Sequence, residues 1–224
     1  MAAAKLLRTV ILGAPASGKG TISDKITKHF AMEHISSGDL LRWNIQNKTD
    51  FGQQVKSFMD KGELVPDEVV TKLVFSELSK MKETSWLLDG FPRTEKQAID
   101  LMGTYPVDLA INIVVPFEVI VERVQGRWVH LPSGRVYNTG FKPPKSPGLD
   151  DITGEPLVQR KDDQPEAVMK RLEVYKSTVD PLCAYYRSRG ILVDFPGRTS
   201  EQIWRALQKY LESRIQPHYN EPQK

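Results

Sequence analysis

The stretch that most constrains this chain is Gly13-Ala14-Pro15-Ala16-Ser17-Gly18-Lys19-Gly20-Thr21. An apolar run, Leu6 to Leu12, leads into it, and a polar run with helical character, Thr21 to Phe30, leads out. Strand, glycine-rich turn and helix in that order are the setting of a phosphate-binding loop. Backbone N–H groups of such a loop, backed by the start of a helix, form a concave anion site. Gly13 and Gly18 can take backbone angles closed to other residues. Lys19 supplies a mobile point charge that reaches the outer phosphates. A glycine turn with an unrelated lysine is the competing reading, and the flanking strand and helix argue against it. Gly20, in place of Ser or Thr, follows Lys19, with Thr21 one position later. That separates the loop from the common ATPase and GTPase form.

A chain of 224 residues suits one domain, or one core with inserted subdomains. Its 40% hydrophobic and 26% charged content is ordinary for a globular protein. A net charge of +3 is too mild to indicate nucleic acid or a membrane surface. Converging arginines could still serve a small anionic substrate. Cys183 is the only cysteine, which excludes an intrachain disulfide and a cysteine zinc cluster and points to a reducing compartment. No apolar run approaches the roughly 20 residues of a membrane span. The N-terminus, Met1 to Arg8, is small, basic and free of acids, and runs straight into the first strand. A removable signal does not fit there without cutting the fold; an uncleaved organellar address and a disordered start both remain open.

There is no internal repeat and no low-complexity linker. Helical patterns are expected over Leu40 to Gln46, from a Thr49 cap to Lys61 with Gly62 as the stop, and from Pro66-Asp67 to about Lys80. Trp86-Leu87-Leu88 reads as a short buried strand ending at Asp89. Thr94-Glu95-Lys96-Gln97 has capping-box spacing and starts a helix. Leu109 to Val115 is a further buried strand, and Pro116 opens a helix to about Gly126. From Arg127 to Gln164 prolines, glycines and short alternating runs predict a small β-rich insertion. Pro165 opens a long helix to about Arg189 with a kink at Pro181, followed by a strand, Ile191 to Phe195, and a helix, Ser200 to Ser213. The tail, Ile215 to Lys224, is polar and expected to fray. Strands alternating with helices predict an α/β fold whose parallel sheet is covered by helices on both faces. Ligands of such sheets bind beyond the carboxyl ends of the strands, where the glycine loop lies.

The second strong signal is Asp89-Gly90-Phe91-Pro92-Arg93-Thr94. An apolar strand that ends in Asp places a carboxylate where a nucleotide's magnesium sits. Gly90 permits a tight exit, Pro92 stiffens it, and Arg93 projects from the same strand end. A capping aspartate with a surface arginine is the plainer alternative. The third signal is a set of arginines in separate segments: Arg42, Arg93, Arg123, Arg127, Arg160 and Arg171. Phosphoryl transfer needs oxygens held in line and charge stabilised, and guanidinium groups grip phosphates with two bonds at once. Arg160 also has Lys161, Asp162 and Asp163 beside it, so a local ion-pair role competes. Asn47-Lys48-Thr49-Asp50 spells a guanine-reading motif but falls between two helical patterns, and is expected to be a helix–helix junction. His130, with no cysteine or second histidine nearby, is expected to be a hydrogen-bonded loop residue.

Together these residues resemble the adenylate kinase family. Gly13 to Thr21 is similar to its loop, and Ser36-Ser37-Gly38-Asp39-Leu40-Leu41-Arg42, Asp89 to Thr94, Ser133-Gly134-Arg135-Val136-Tyr137, Asp151 to Pro156, Gln159 to Asp163 and Lys170-Arg171-Leu172 are similar to its other signatures. The resemblance covers about residues 6 to 213, and the long insertion marks the long-lid branch. Ser85 to Asp89 and Arg127-Trp128-Val129-His130 are most similar to GTP-using mitochondrial members. An ATP-preferring member of the same branch is the alternative within the family. A nucleotide-binding switch without transfer is the alternative of another class.

The resemblance implies the P-loop nucleoside monophosphate kinase fold with core segments 1–35, 66–126 and 165–214, a monophosphate-binding subdomain 36–65, a lid 127–164 and a tail 215–224. It implies transfer from Mg-bound GTP (or ITP) to AMP, giving GDP and ADP reversibly. Ala16, Ser17, Gly18, Lys19, Gly20 and Thr21 would hold the triphosphate, with Arg127, Val136 and Tyr137 from the lid and the backbone near Gly197 and Thr199 at its base. Ser37, Arg42, Glu63, Leu64, Val65, Gly90, Phe91, Pro92, Arg93 and Gln97 would cradle AMP. Lys19, Arg93, Arg127, Arg160 and Arg171 would neutralise the moving phosphoryl, with Arg160 and Arg171 also at the AMP side. Asp89 would hold Mg2+ through water. Zinc-bearing relatives carry ligands where this chain has His130, Ser133, Asp150 and Thr153, so no zinc is expected. The resemblance further implies a monomer of the mitochondrial matrix, with nucleotides as its partners and neither nucleic acid nor membrane. Relatives usually have Gly where this chain has Ala16. If the loop needs a positive φ there, Ala costs on the order of 1 kcal/mol and sets its methyl toward the phosphates.

Overall fold

The computed structural model describes residues 6–81, 83–160 and 163–215. Most of the basic N-terminal stretch, nearly all of the tail, and Lys161 and Asp162 lie outside them. Five strands form one sheet: β1 Arg8–Gly13, β2 Glu33–Ser36, β3 Trp86–Asp89, β4 Leu109–Val114 and β7 Leu192–Pro196. The order is β2-β3-β1-β4-β7, with every neighbouring pair parallel. Two apolar faces in each central strand explain why helices cover both sides. On one face Val10, Leu12, Trp86, Leu88 and Ala110 meet α4 (Asp67–Leu78), α5 (Glu95–Thr104) and α7 (Pro165–Ser188). On the other, Ile11, Leu87, Ile111, Ile113 and Phe195 meet α1 (Lys19–Phe30) and α8 (Ser200–Glu212). A third cluster ties Ala14 of the glycine loop to Ile120 and Val124 of α6 (Phe117–Gln125) and to Val168 and Leu172 of α7.

The parallel register fixes what meets at the carboxyl edge. Ile11 of β1 stands opposite Asp89, and so does Ser36 of β2. The glycine loop, the exit from β3 and the turn into α2 (Ser37–Gln46) therefore leave the sheet side by side. Two local expectations change. The strand β2 is not evident from its four residues, Glu-His-Ile-Ser, of which only Ile35 is fully buried. The helix α2 begins at Ser37, ahead of the apolar pattern at Leu40, because the Ser36 hydroxyl caps it by accepting from Asp39 N at 3.2 Å.

The segments at the edge carry their own logic. Thr49 caps α3 (Asp50–Lys61) through Gly52 N, and Gly62 ends it with φ 72°. The Asn47–Asp50 motif is the junction of α2 and α3, with Lys48 at φ 52°. Beyond α6, β5 (Arg127–Val129) and β6 (Val136–Asn138) pair antiparallel, and Val129 bridges to Val158, so the insertion is β-rich as the sequence suggests. Pro181 lies within α7. Among the described residues no helix is long and apolar enough to cross a membrane.

Gly52 is where α3 presses on α2: an added Cβ would sit 2.2 Å from the Asn44 carbonyl oxygen. Gly52→Ala is expected to cost about 1–3 kcal/mol by forcing the two helices apart. A lowered denaturation midpoint, measured in urea, checks it; an unchanged midpoint contradicts this packing.

Candidate functional site

At the carboxyl edge of the sheet lies a cleft of about 950 Å³. Its floor is the glycine loop. Gly18, at φ 94°, is the turn into α1, and a Cβ there would approach the Ser200 hydroxyl to 2.6 Å. Ala16 has φ 59°, so this alanine occupies the left-handed region that favours glycine. Arg123 of α6 braces the loop from below. One guanidinium nitrogen donates to the Ser17 carbonyl at 2.8 Å and reaches the Ala16 carbonyl at 3.4 Å, and the other donates to the Arg198 carbonyl at 2.8 Å.

Lys19 curls over the loop, its Nζ donating to the carbonyls of Gly13 at 2.8 Å and Ala14 at 3.0 Å. Burial pushes its pKa down to about 8; Asp89 opposes the shift, while Arg93, Arg171 and Arg127 add to it. An ammonium already crowded by three guanidinium groups describes a pocket short of negative charge.

Most of the residues singled out in the sequence converge here. Ala16, Gly18, Lys19, Gly20 and Thr21 line the cleft from the loop, and Asp89, Gly90, Pro92 and Arg93 from the exit of β3. Arg42 and Leu64 come from the α2–α3 side, Arg127, Val136 and Tyr137 from the β-rich insertion, and Arg160, Arg171 and Thr199 complete the wall. Six others do not line it. Ser17 is fully buried under the loop, and Val65 and Phe91 belong to the core. Glu63 sits in the turn after α3, its N–H donating to the Phe58 carbonyl. Ser37 and Gln97 support the site from behind. The Ser37 hydroxyl donates to the Gly90 carbonyl at 2.7 Å. Gln97 accepts from Arg93 N at 2.7 Å and donates to Asp67 at 2.8 Å. That corrects the capping box expected at Thr94: the Gln97 side chain reaches one residue further back, to Arg93.

Three participants were not recognised as site residues from sequence. The Asp163 carboxylate, almost fully buried, accepts from Arg127 Nε at 2.7 Å and pairs with a second Arg127 nitrogen and with Arg171 at 3.4 Å. Asp39, in the cleft wall, pairs with Arg42 at 2.5 Å. Arg123 appeared only as one arginine among six. Spacing shows that acids and arginines are present, but pairing across 36 residues has no local signature.

The insertion has its own polar core. Asp150 is buried and accepts from Arg135 at 2.8 and 2.6 Å, from the Tyr137 hydroxyl at 2.8 Å and from the Thr153 hydroxyl at 3.0 Å. The Arg135 hydrogen bonds hold its carboxyl well below the usual carboxylate range. His130 is hydrogen-bonded to Ser133 at 2.7 Å and to Glu155 at 2.5 Å, as a loop histidine was expected to be. The phenol of Tyr137 is therefore committed to this core, and its ring is what remains for the cleft.

A parallel sheet with a glycine loop after its central strand, and a lysine, a strand-end carboxylate and several arginines around one cleft, defines a P-loop nucleotide-binding protein. The adenylate kinase family model matches residues 11–191, and the chain belongs to the adenylate kinase family. It is 47% identical over 211 residues to a protein of Drosophila melanogaster named GTP:AMP phosphotransferase, mitochondrial, covering 94% of this chain and 98% of that one. It is 44% identical to a Saccharomyces cerevisiae protein of the same name, with 90% and 94% covered. An adenylate kinase of Caldicellulosiruptor bescii is 42% identical, with 90% and 99% covered.

The positive φ at Ala16 yields a test. Ala16→Gly relieves the left-handed strain but adds freedom to the unfolded chain, so stability should change by less than about 1 kcal/mol. Removing the methyl from a residue that lines the cleft should lower the triphosphate KM. A KM equal to that of the parent shows that Ala16 does not limit phosphate approach.

Proposed function

We propose that this chain transfers the terminal phosphoryl group of Mg-bound GTP to AMP, giving GDP and ADP reversibly, in mitochondria. The observation that carries this is the extended likeness, at 44–47% identity over nearly the whole chain, to proteins named mitochondrial GTP:AMP phosphotransferases. The cleft supports it physically. A nucleotide-binding switch needs only the loop, whereas this cleft adds arginines from five further segments, enough charge for two phosphorylated substrates. An ATP-preferring enzyme is the reading to be tested against it.

In this reading the loop from Ala16 to Thr21 receives the triphosphate through its backbone N–H groups and Lys19. Arg42, Leu64 and the Gly90 to Arg93 turn face AMP, with Ser37 and Gln97 fixing that turn. Arg93, Arg127, Arg160 and Arg171 spread positive charge around the transferred group. Asp89 is a carboxylate at the cleft edge beside Lys19, the kind of single oxygen donor that suits a Mg2+ held mainly by phosphates. When bound, that ion neutralises phosphate charge. Zinc does not fit the insertion: Ser133 and Thr153 offer hydroxyls where zinc takes Cys or His, and His130 and Asp150 are already hydrogen-bonded. The segments 36–65 and 127–164 act as two movable covers on a fixed core, and their closure excludes water that would otherwise take the phosphoryl group.

The Lys19 titration gives a pH dependence with a defined sign. The free protein loses this proton near pH 8, below the value of an unfolded lysine. Between the two values the unfolded chain binds more protons, so this group favours folding as pH rises through that window. Triphosphate binding runs the other way, because it uses the ammonium form. GTP affinity should weaken as pH rises through 8, and GTP binding at pH 8.5 should take up protons, readable by calorimetry in buffers of different ionisation enthalpy. Lys19→Met should abolish both effects; persistence of either in that variant removes Lys19 from the triphosphate site.

Two further outcomes test the assignment. Diphosphate formation from AMP should be fastest with GTP or ITP and slower with ATP; ATP in first place overturns the GTP reading, and no transfer from any donor overturns the kinase. Arg93→Ala should lower kcat several tens-fold at least with the fold intact. A near-normal kcat would take Arg93 out of the catalytic set.

A further inference from the structure

Asp67 opens α4, three residues after Leu64 of the cleft wall. From there α4 is fixed, because Val70, Val74 and Leu78 are buried in the core beside Ala98 and Leu101 of α5. Both oxygens of the Asp67 carboxylate are used on the start of α5. Oδ2 accepts from the Thr94 hydroxyl at 2.9 Å, and Oδ1 accepts from Gln97 Nε2 at 2.8 Å. Gln97 is 2% exposed, and its Oε1 accepts from Arg93 N at 2.7 Å. A chain of hydrogen bonds therefore runs from Asp67 through Gln97 to the backbone of Arg93. Asp67 itself does not line the cleft.

The direction of this chain follows from what each group can do. A carboxylate only accepts, so the NH2 end of the Gln97 amide turns to Asp67 and the carbonyl end turns to Arg93. Rotated by half a turn, the amide would set N–H against N–H at Arg93 and oxygen against oxygen at Asp67. The Thr94 hydroxyl is ordered the same way. Its one hydrogen goes to Asp67, and its oxygen accepts from Gln97 N at 3.2 Å as the cap of α5. Arg93 is held twice in the turn. Its backbone N is pinned by Gln97, and its Nε donates at 2.8 Å to the Gly90 carbonyl, which also accepts from Ser37 at 2.7 Å. The backbone hold leads back to α4.

We propose that Asp67 is a positioning residue for the AMP half of the reaction: by ordering the Gln97 amide it sets the backbone of Arg93, and through it the guanidinium. This rests on the reading of Arg93 as a residue that faces AMP and the transferred phosphoryl group. Asp67 touches neither substrate, so its effect is confined to what Arg93 does. A small displacement of a charged group at a reacting centre is enough to slow transfer. The glycine loop keeps its own bracing, from Arg123 to the Ser17 and Ala16 carbonyls, so triphosphate binding is spared.

The test compares the parent full chain with Asp67→Ala and Asp67→Asn. In Asp67→Ala, hydrogen exchange at the Arg93 amide should quicken about tenfold, with the core amides of Val74 and Leu101 unchanged. With Mg-GTP as donor, kcat should fall and the AMP KM rise, each about fivefold, while the GTP KM stays within about twofold. Asp67→Asn should recover most of these losses, because its oxygen can accept from Gln97 and its amide N–H can bond the Thr94 oxygen. An unchanged exchange rate at Arg93 would overturn the chain, and it is read without any turnover. Quickened exchange with parental kcat and AMP KM would overturn the role in the reaction. A GTP KM raised as much as that of AMP would show general damage to the fold, and equal losses in the two variants would show an effect of charge; either overturns the positioning account. If the parent transfers from no donor, the kinase reading fails, while exchange at Arg93 still decides the chain.

Discussion

Everything at the cleft depends on the parallel pairing of β3 between β1 and β2. In a parallel sheet all carboxyl ends leave at one edge, so register alone decides which loops become neighbours. Here Asp89 stands opposite both Ile11 and Ser36. The glycine loop, the acidic exit of β3 and the capped start of α2 are thereby brought together without any direct covalent or sequence proximity. Trp86, Leu87 and Leu88, almost entirely buried, hold that register by filling both faces of β3. A slip of one residue would turn each of them to the wrong face and carry Asp89 away from Lys19.

The charges at the edge follow from this assembly. A lysine and several guanidinium groups in one half-buried cleft repel each other, and this repulsion adds to the burial that chiefly depresses the pKa of Lys19. Asp163 and Asp39 moderate it by pairing with Arg127, Arg171 and Arg42. A buried charge left without a partner is costly, so these carboxylates keep the arginines in place within the folded chain. Entering phosphates would exchange one anionic partner for another, which keeps the exchange from requiring bare charges at any stage. Under the proposed function, closure of segments 36–65 and 127–164 would place that exchange out of water, where each interaction is stronger.

The sequence made the glycine loop, the β3 exit, the helix stops at Gly62 and the β-rich insertion legible, because each is written in residues close together along the chain. The left-handed backbone at Ala16 was raised as a condition by the resemblance, whose members usually have Gly there, and the loop adopts it. What was hidden is tertiary. The strand β2 has one fully buried residue in four and no alternation strong enough to announce an edge strand. Ser37 and Gln97 also hold the Gly90 to Arg93 turn from behind, through hydrogen bonds that no local pattern announces. Asp163 as the anchor of two arginines, and Asp67 as the anchor of Gln97, depend on contacts between distant segments that no local pattern encodes.

The central claim is that the cleft moves a phosphoryl group between two nucleotides and not to water. A single-turnover experiment with GTP labelled at its terminal phosphate tests it most directly. With AMP present, the label should appear in ADP within one turnover, and without AMP it should remain in GTP. Release of the label as inorganic phosphate at the same rate with and without AMP would show a hydrolytic switch and contradict the account.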